Sequence, residues 1–204
     1  MDGYPLPSIP PHILQPGVEP GDVQAEAVFE KWISELNSIL TDKSFDKISD
    51  LFLDDCWWRD FVSLNWDFSS KHGQPDIIKY LKTATNSLSN LQTVHIGGLK
   101  PLLVQLPGMV WIQGAFRFKN QHGSGQGLLK LLNVGTKDEW KAWSIFTQLE
   151  KLDFQEELER RKALNPAAVN RQPQVNGVHK EDESVSADVQ VLIVGAGTCS
   201  YAFT

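Results

Sequence analysis

Cysteine is scarce in this chain: Cys56 and Cys199 are the only two among 204 residues. They are too far apart in sequence to make a CxxC site or a disulfide framework, so a reducing compartment is the default expectation. A basic excess is missing as well. Nineteen Lys and Arg stand against 25 Asp and Glu, for a net charge of -6. That balance gives no field to recruit nucleic acid or anionic lipid. Long apolar runs are absent, and no stretch is apolar enough to span a membrane. The opening MDGYPLPSIPPHILQPG has no positive n-region, and prolines interrupt any apolar run, so it does not read as a signal peptide. A cytoplasmic protein is the resulting expectation. Chemistry-bearing sets are lacking too. No His, Asp and Glu combination has metal-ligand spacing, so no metal is expected, and no Ser or Cys sits in a nucleophile-elbow context.

Aromatics, by contrast, are plentiful, with seven Trp and ten Phe. Residues 1–21 are rich in proline (Pro5, Pro7, Pro10, Pro11, Pro16 and Pro20) and read as an extended arm. From Asp22 the pattern turns helical. Ala25, Val28, Phe29, Trp32, Ile33, Leu36 and Leu40 make one apolar stripe. A second short helix follows, with Ser44 as its N-cap and Phe45, Ile48, Leu51 and Phe52 as its buried face. The segment DDCWWRDFVSLNWDF is irregular and reads as short strand or turn. A third helix begins near Pro75, with Ile77, Ile78, Leu81, Ala84 and Leu88 as its stripe.

After Asn90 the period becomes that of strands. LQTVHIGG, PLLVQL, MVWIQGAFRF, QGLLKLLNV and EWKAWSIFTQL are punctuated by Gly97-Gly98, Pro107-Gly108, HGSG at 122–125 and Gly135. Short polar turns between strands predict antiparallel pairing. Three helices followed by a meander of strands indicate an α+β domain, with helices on one face of the sheet, over residues 22–152. In the strand from Val110, the face carrying Ile112, Gly114, Phe116 and Phe118 is the better core face, which turns Arg117 outward.

Residues 153–187 read as a short charged helix and a flexible linker. In residues 188–204 the run VQVLIV enters Gly195-Ala196-Gly197, as a buried parallel strand enters a dinucleotide fingerprint. The third glycine of that fingerprint falls at position 200, where Ser200 stands, and the ribose-binding acid belongs about 20 residues on. The segment is therefore expected to be an orphan Rossmann strand, truncated at the start of its domain and without redox activity.

These residues carry a family resemblance. WWRD (Trp57 to Asp60), LNWDF (Leu64 to Phe68), FTQLEKLDFQEE (Phe146 to Glu157) and VLIVGAG resemble the N-terminal part of fungal flavin-containing monooxygenase-like proteins. In those proteins an NTF2-like or SnoaL-like cone domain, three helices packed on a curved antiparallel sheet, precedes an FAD/NAD(P)-binding module. The resemblance spans residues from about 22 to 197. It implies FAD and NADP(H) as cofactors of the parent family, bound there at the positions of Gly195, Ala196 and Gly197; in this chain those three residues are expected to be non-functional, and no cofactor is expected. It also implies a pocket beneath the helices for a small apolar ligand, and a sheet face that serves as a homodimer surface.

Within the cone-like domain the polar candidates are Asp60, Asp67, His72, His95, Arg117, His122 and Lys130. Asp60, beside Arg59 in an aromatic cluster, and Asp67 are the candidate general bases. Trp57, Trp58 and Trp66 are the candidate pocket lining, with core packing as the other reading. Three functions follow as expectations. The first is the accessory domain of a flavin-dependent oxidoreductase. The second is a free-standing SnoaL-like cyclase, isomerase or dehydratase. The third is a non-enzymatic binding or dimerisation module.

Overall fold

A computed structural model describes residues 13–95, 100–154 and 160. The dinucleotide stretch at Gly195, Ala196 and Gly197, most of the linker and the first 12 residues of the arm lie outside the described residues. The architecture is α+β.

Helix α1 (Ala25–Asp42) buries Val28, Phe29, Trp32, Ile33, Leu36, Ile39 and Leu40. These positions follow the three- and four-residue spacing of the sequence stripe. Full burial of such a side chain contributes about 1.5–3 kcal/mol. The helix closes at Lys43, whose φ of 53° is the left-handed turn that ends many helices. A single 3-10 turn (Phe45–Lys47) leads into the short α2 (Ile48–Leu51). Ser44 precedes this turn but makes no side-chain cap there.

The irregular aromatic segment is a regular strand, β1 (Phe52–Phe61), followed by β2 (Phe68–His72). These two strands precede α3 (Gly73–Thr83), so the third helix is inserted between strands rather than ahead of them. It buries Ile77, Tyr80 and Leu81. The remaining strands are β3 (Ser89–Val94), β4 (Leu102–Leu106), β5 (Met109–Asn120), β6 (Gly123–Asn133) and β7 (Trp140–Leu152).

These strands form one sheet of seven, ordered β2-β1-β7-β6-β5-β3, with β4 also on β5. The sheet is mixed, which corrects the expectation of antiparallel pairing throughout: β1 and β7 run parallel. The tight turns of the meander dictate antiparallel pairs only for strands adjacent in sequence. β1 and β7 are joined instead through α3 and the whole meander, a connection long enough to allow a parallel pair. Register shifts in β1 (Phe52/Trp57) and between β6 and β7 (Lys130/Leu131) add the local twist that curves the sheet.

The helices lie on one face of the sheet. Ile112, Phe116, Phe118, Leu129, Leu131 and Ile145 point toward them into the main core. α1 lies so close to the sheet that a side chain at Gly114 would meet the Phe29 ring at 2.7 Å. The HGSG stretch expected as a turn is mostly strand. Gly123 and Gly125 belong to β6, because β5 and β7 pass too close for any side chain there. The end of the arm is attached to this domain: Leu14 packs on the core, and the Gln15 amide donates to Asn133 at 3.0 Å.

Candidate functional site

Alternation along β1 sorts its chemistry onto two faces. Trp58 and Asp60 turn inward and are fully buried, while Trp57, Arg59 and Phe61 turn outward. β7 runs alongside with Thr147 opposite Asp60, and Thr147 is also fully buried. α3 brings Tyr80 in from above.

The result is a closed hydrogen-bond network. The Tyr80 hydroxyl donates to Asp60 Oδ2 at 2.8 Å, and the Leu64 amide donates to the same oxygen at 3.0 Å. The Thr147 hydroxyl donates to Asp60 Oδ1 at 2.6 Å. The direction of that last bond is fixed by Trp58. An indole N–H can only donate, so Thr147 accepts it at 3.0 Å and spends its own proton on Asp60. Burial pushes the Tyr80 hydroxyl up to about 12, with hydrogen bonds from Asn65 and Ser69 opposing and the neighbouring Asp60 carboxylate reinforcing the rise.

Asp60 therefore has partners on both oxygens and zero exposure, so no solvent-sized space adjoins it. A general base needs hydrogen-bond reach to a substrate proton. Here that reach is taken up by Tyr80, Thr147 and Leu64, and the carboxylate ties together β1, β7, α3 and the turn after β1. Asp67, by contrast, is exposed, and its Oδ1 accepts from the Phe68 amide at 2.7 Å. The two candidate bases do not share a site.

The three tryptophans are likewise dispersed. Trp58 is core. Trp57 lies on the outer sheet face, stacked on His72 at 4.2 Å, and His72 meets Asp55 at 2.6 Å. Trp66 is 57% exposed and leans on the His122 ring at 4.9 Å. Among the remaining candidates, His95 pairs with Glu26 at 3.1 Å, and Lys100 pairs with the other Glu26 oxygen at 3.2 Å. Lys100 above all holds the Glu26 carboxyl below its usual range. Arg117 is exposed on the outer face. Burial, reinforced by Asp55 and Asp54, pushes the Cys56 thiol up to about 12, the state of an unreactive core cysteine. Among the described residues, no group of three or more His, Cys, Asp or Glu could hold a metal ion.

Sequence reasoning missed Tyr80 and Thr147. Both had a weak signal. Tyr80 lies three residues after Ile77 on the stripe of α3, and Thr147 shares the inward parity of Ile145.

The outer face of the sheet is the second notable surface. Its residues follow from the strand register. One row across it reads Ser70, Arg59, Phe146, Leu128, Ala115 and Val94. Phe61 packs edge-on to Phe68 at 4.9 Å and to Phe146 at 5.1 Å. Phe68 is 70% exposed and Leu128 is 54% exposed. Arg59 lies over the Phe61 ring at 5.1 Å.

No protein-family model and no curated protein matches the sequence. Solved structures do resemble it. An NTF2-like protein from Cytophaga hutchinsonii aligns at 10% identity and a TM-score of 0.43, over 61% of this chain and 97% of that one. A nuclear transport factor 2 (NTF2-like) superfamily protein from Salmonella enterica aligns at 10% identity and a TM-score of 0.44, over 63% and 93%. ActVI-ORFA from Streptomyces coelicolor aligns at 14% identity and a TM-score of 0.42, over 63% and 96%. No described helix is long and apolar enough to cross a membrane.

Proposed function

We propose that residues 22–152 are an NTF2-like, SnoaL-like accessory domain of a flavin-dependent monooxygenase-like oxidoreductase, and that this domain acts by association rather than by catalysis. The observation that carries the reading is the aromatic ladder Phe68–Phe61–Phe146 on the outer sheet face, half-buried at Phe61 and Phe146 and exposed at Phe68, with exposed Leu128 beside Phe146. Large exposed apolar side chains gathered in one patch mark interaction surfaces. The partner we assign to the ladder is a second copy of this chain, docked sheet to sheet. FAD and NADP(H) are cofactors of that parent family; in this proposal residues 22–152 bind neither, and Gly195, Ala196 and Gly197 do not hold them in this chain. The free-standing cyclase, isomerase or dehydratase reading requires a reachable acid–base residue, and the partners of Asp60 weigh against it.

Sedimentation equilibrium tests this. The chain is expected to run as a dimer at micromolar concentration, and Phe68→Glu to run as a monomer with an unchanged far-ultraviolet spectrum. A wild-type chain that stays monomeric at hundreds of micromolar would overturn the association reading.

A further inference from the structure

We infer that the outer sheet face carries a binding site for a small monocarboxylate with an apolar body, centred on Lys130. The site is a groove of about 260 Å³ where β4, β5 and β6 meet, lined by Lys100, Leu102, Gln113, Ala115, Leu128 and Lys130. Its apolar walls are exposed: Leu102 at 37% and Leu128 at 54%. It borders the Phe68–Phe61–Phe146 ladder, since its wall Leu128 is the cross-strand neighbour of Phe146, but all its residues belong to one protomer.

Two polar groups of the groove are donors with no acceptor among the described residues, the Lys130 ammonium and the Gln113 amide NH₂. The Lys130 ammonium is held between two indole faces, 5.6 Å from the ring of Trp111 and 5.6 Å from that of Trp143. Among the described residues no carboxylate pairs with it. Lys100 spends its charge on Glu26, so it contributes mainly its aliphatic stem.

Gln113 is oriented by Trp111. The indole N–H donates to Gln113 Oε1 at 3.0 Å, which requires an oxygen there and leaves the NH₂ end as the uncommitted group. Among the described residues, no Asp or Glu lines the groove. An ammonium fixed in place by aromatic faces, an amide donor beside it, and a leucine and alanine floor select a ligand with one carboxylate and a short apolar body. The groove volume is below the usual range for drug-sized ligands, which limits that body to a few carbons or one ring.

Hexanoate is a suitable probe because it does not absorb with the indoles, and hexanamide is its neutral counterpart. Tryptophan fluorescence, reporting Trp111 and Trp143, is expected to change saturably with hexanoate. Hexanamide should bind about tenfold more weakly, the cost of one lost charge-assisted contact. Lys130→Met keeps the apolar stem. It should weaken hexanoate by about tenfold, leave hexanamide unchanged, and leave the thermal melt within a few degrees of wild type. Methyl resonances of Leu102 and Leu128 should shift with the same midpoint. Equal affinity for acid and amide, an unaffected Lys130→Met variant, or shifts that avoid both leucines would each overturn the site. Repeating the titration in Phe68→Glu separates the two proposals: the groove belongs to one protomer, so that variant should bind hexanoate at least as tightly as wild type, and weaker binding by it would overturn the site.

Discussion

The Tyr80 hydroxyl lies 2.8 Å from Asp60 Oδ2, inside a core that otherwise holds almost only apolar side chains. This contact joins α3 to β1, and Asp60 passes it on to β7 through Thr147. Tyr80→Phe removes one donor and leaves Asp60 two others, so it should cost about 1–3 kcal/mol. Asp60→Ala strands the Tyr80 hydroxyl, the Thr147 hydroxyl and the Leu64 amide together, and should cost about 3–5 kcal/mol. Urea unfolding at neutral pH measures both. An Asp60→Ala variant no less stable than Tyr80→Phe would contradict the network's role.

Two buried groups, Tyr80 of this network and the core thiol Cys56, set an alkaline limit. Tyr80 is raised from 10.0 to about 12 and Cys56 from 9.0 to about 12, in both cases chiefly by burial. A group whose folded pKa exceeds its unfolded one favours the folded state fully below the unfolded value. That advantage is lost as pH rises through the folded value. Stability should therefore fall from about pH 9, more steeply above pH 10. Cys56→Ala should flatten the lower part of this limb and Tyr80→Phe the upper part, as read from denaturation midpoints between pH 8 and 11. Identical limbs in all three proteins would rule these groups out as its source.

Much of this was legible in the sequence. The stripe of α1 matched its buried face because a helix against a sheet buries one side and the spacing records it. The inward face of β5 was legible for the same reason at period two. What was not legible is non-local. Nothing near Asp60 announces Thr147, because their pairing depends on a parallel contact between strands 87 positions apart. The DDCWWRDF segment hid its strand because its outward positions carry Trp57 and Phe61, which blur the apolar alternation that marks a half-buried strand. The groove at Lys130 was equally hidden, since it is formed by three strands and by the orientation of two tryptophans.

Glycines in β6 provide a packing test. A Cβ on Gly127 would lie 2.3 Å from the Phe116 ring and 2.5 Å from the Phe146 carbonyl oxygen. The ring could turn, but the carbonyl belongs to a paired strand and cannot move alone. Gly127→Ala should destabilise by about 1–3 kcal/mol through overpacking. Gly21→Ala, where nothing lies within 4 Å, should change stability by less than about 0.5 kcal/mol. Thermal melts of the two variants would show whether the effect comes from lost space rather than from alanine itself.

Val62 offers the opposite case, a position where substitution should help. Its φ is 53°, in the left-handed region that β-branched residues rarely enter. The strain, about 1–2 kcal/mol, is held because this turn brings the Leu64 amide onto Asp60. Asn adopts that conformation with less strain, so Val62→Asn should stabilise by about 0.5–1 kcal/mol after the loss of a half-buried valine. Val62→Gly relieves the strain further, but it frees the unfolded chain and loses the side chain entirely, so its net gain should be smaller. The order Asn above Gly above wild type in melting temperature is the expected result. A Val62→Asn variant that melts below wild type would mean that the valine side chain contributes more here than its backbone strain costs.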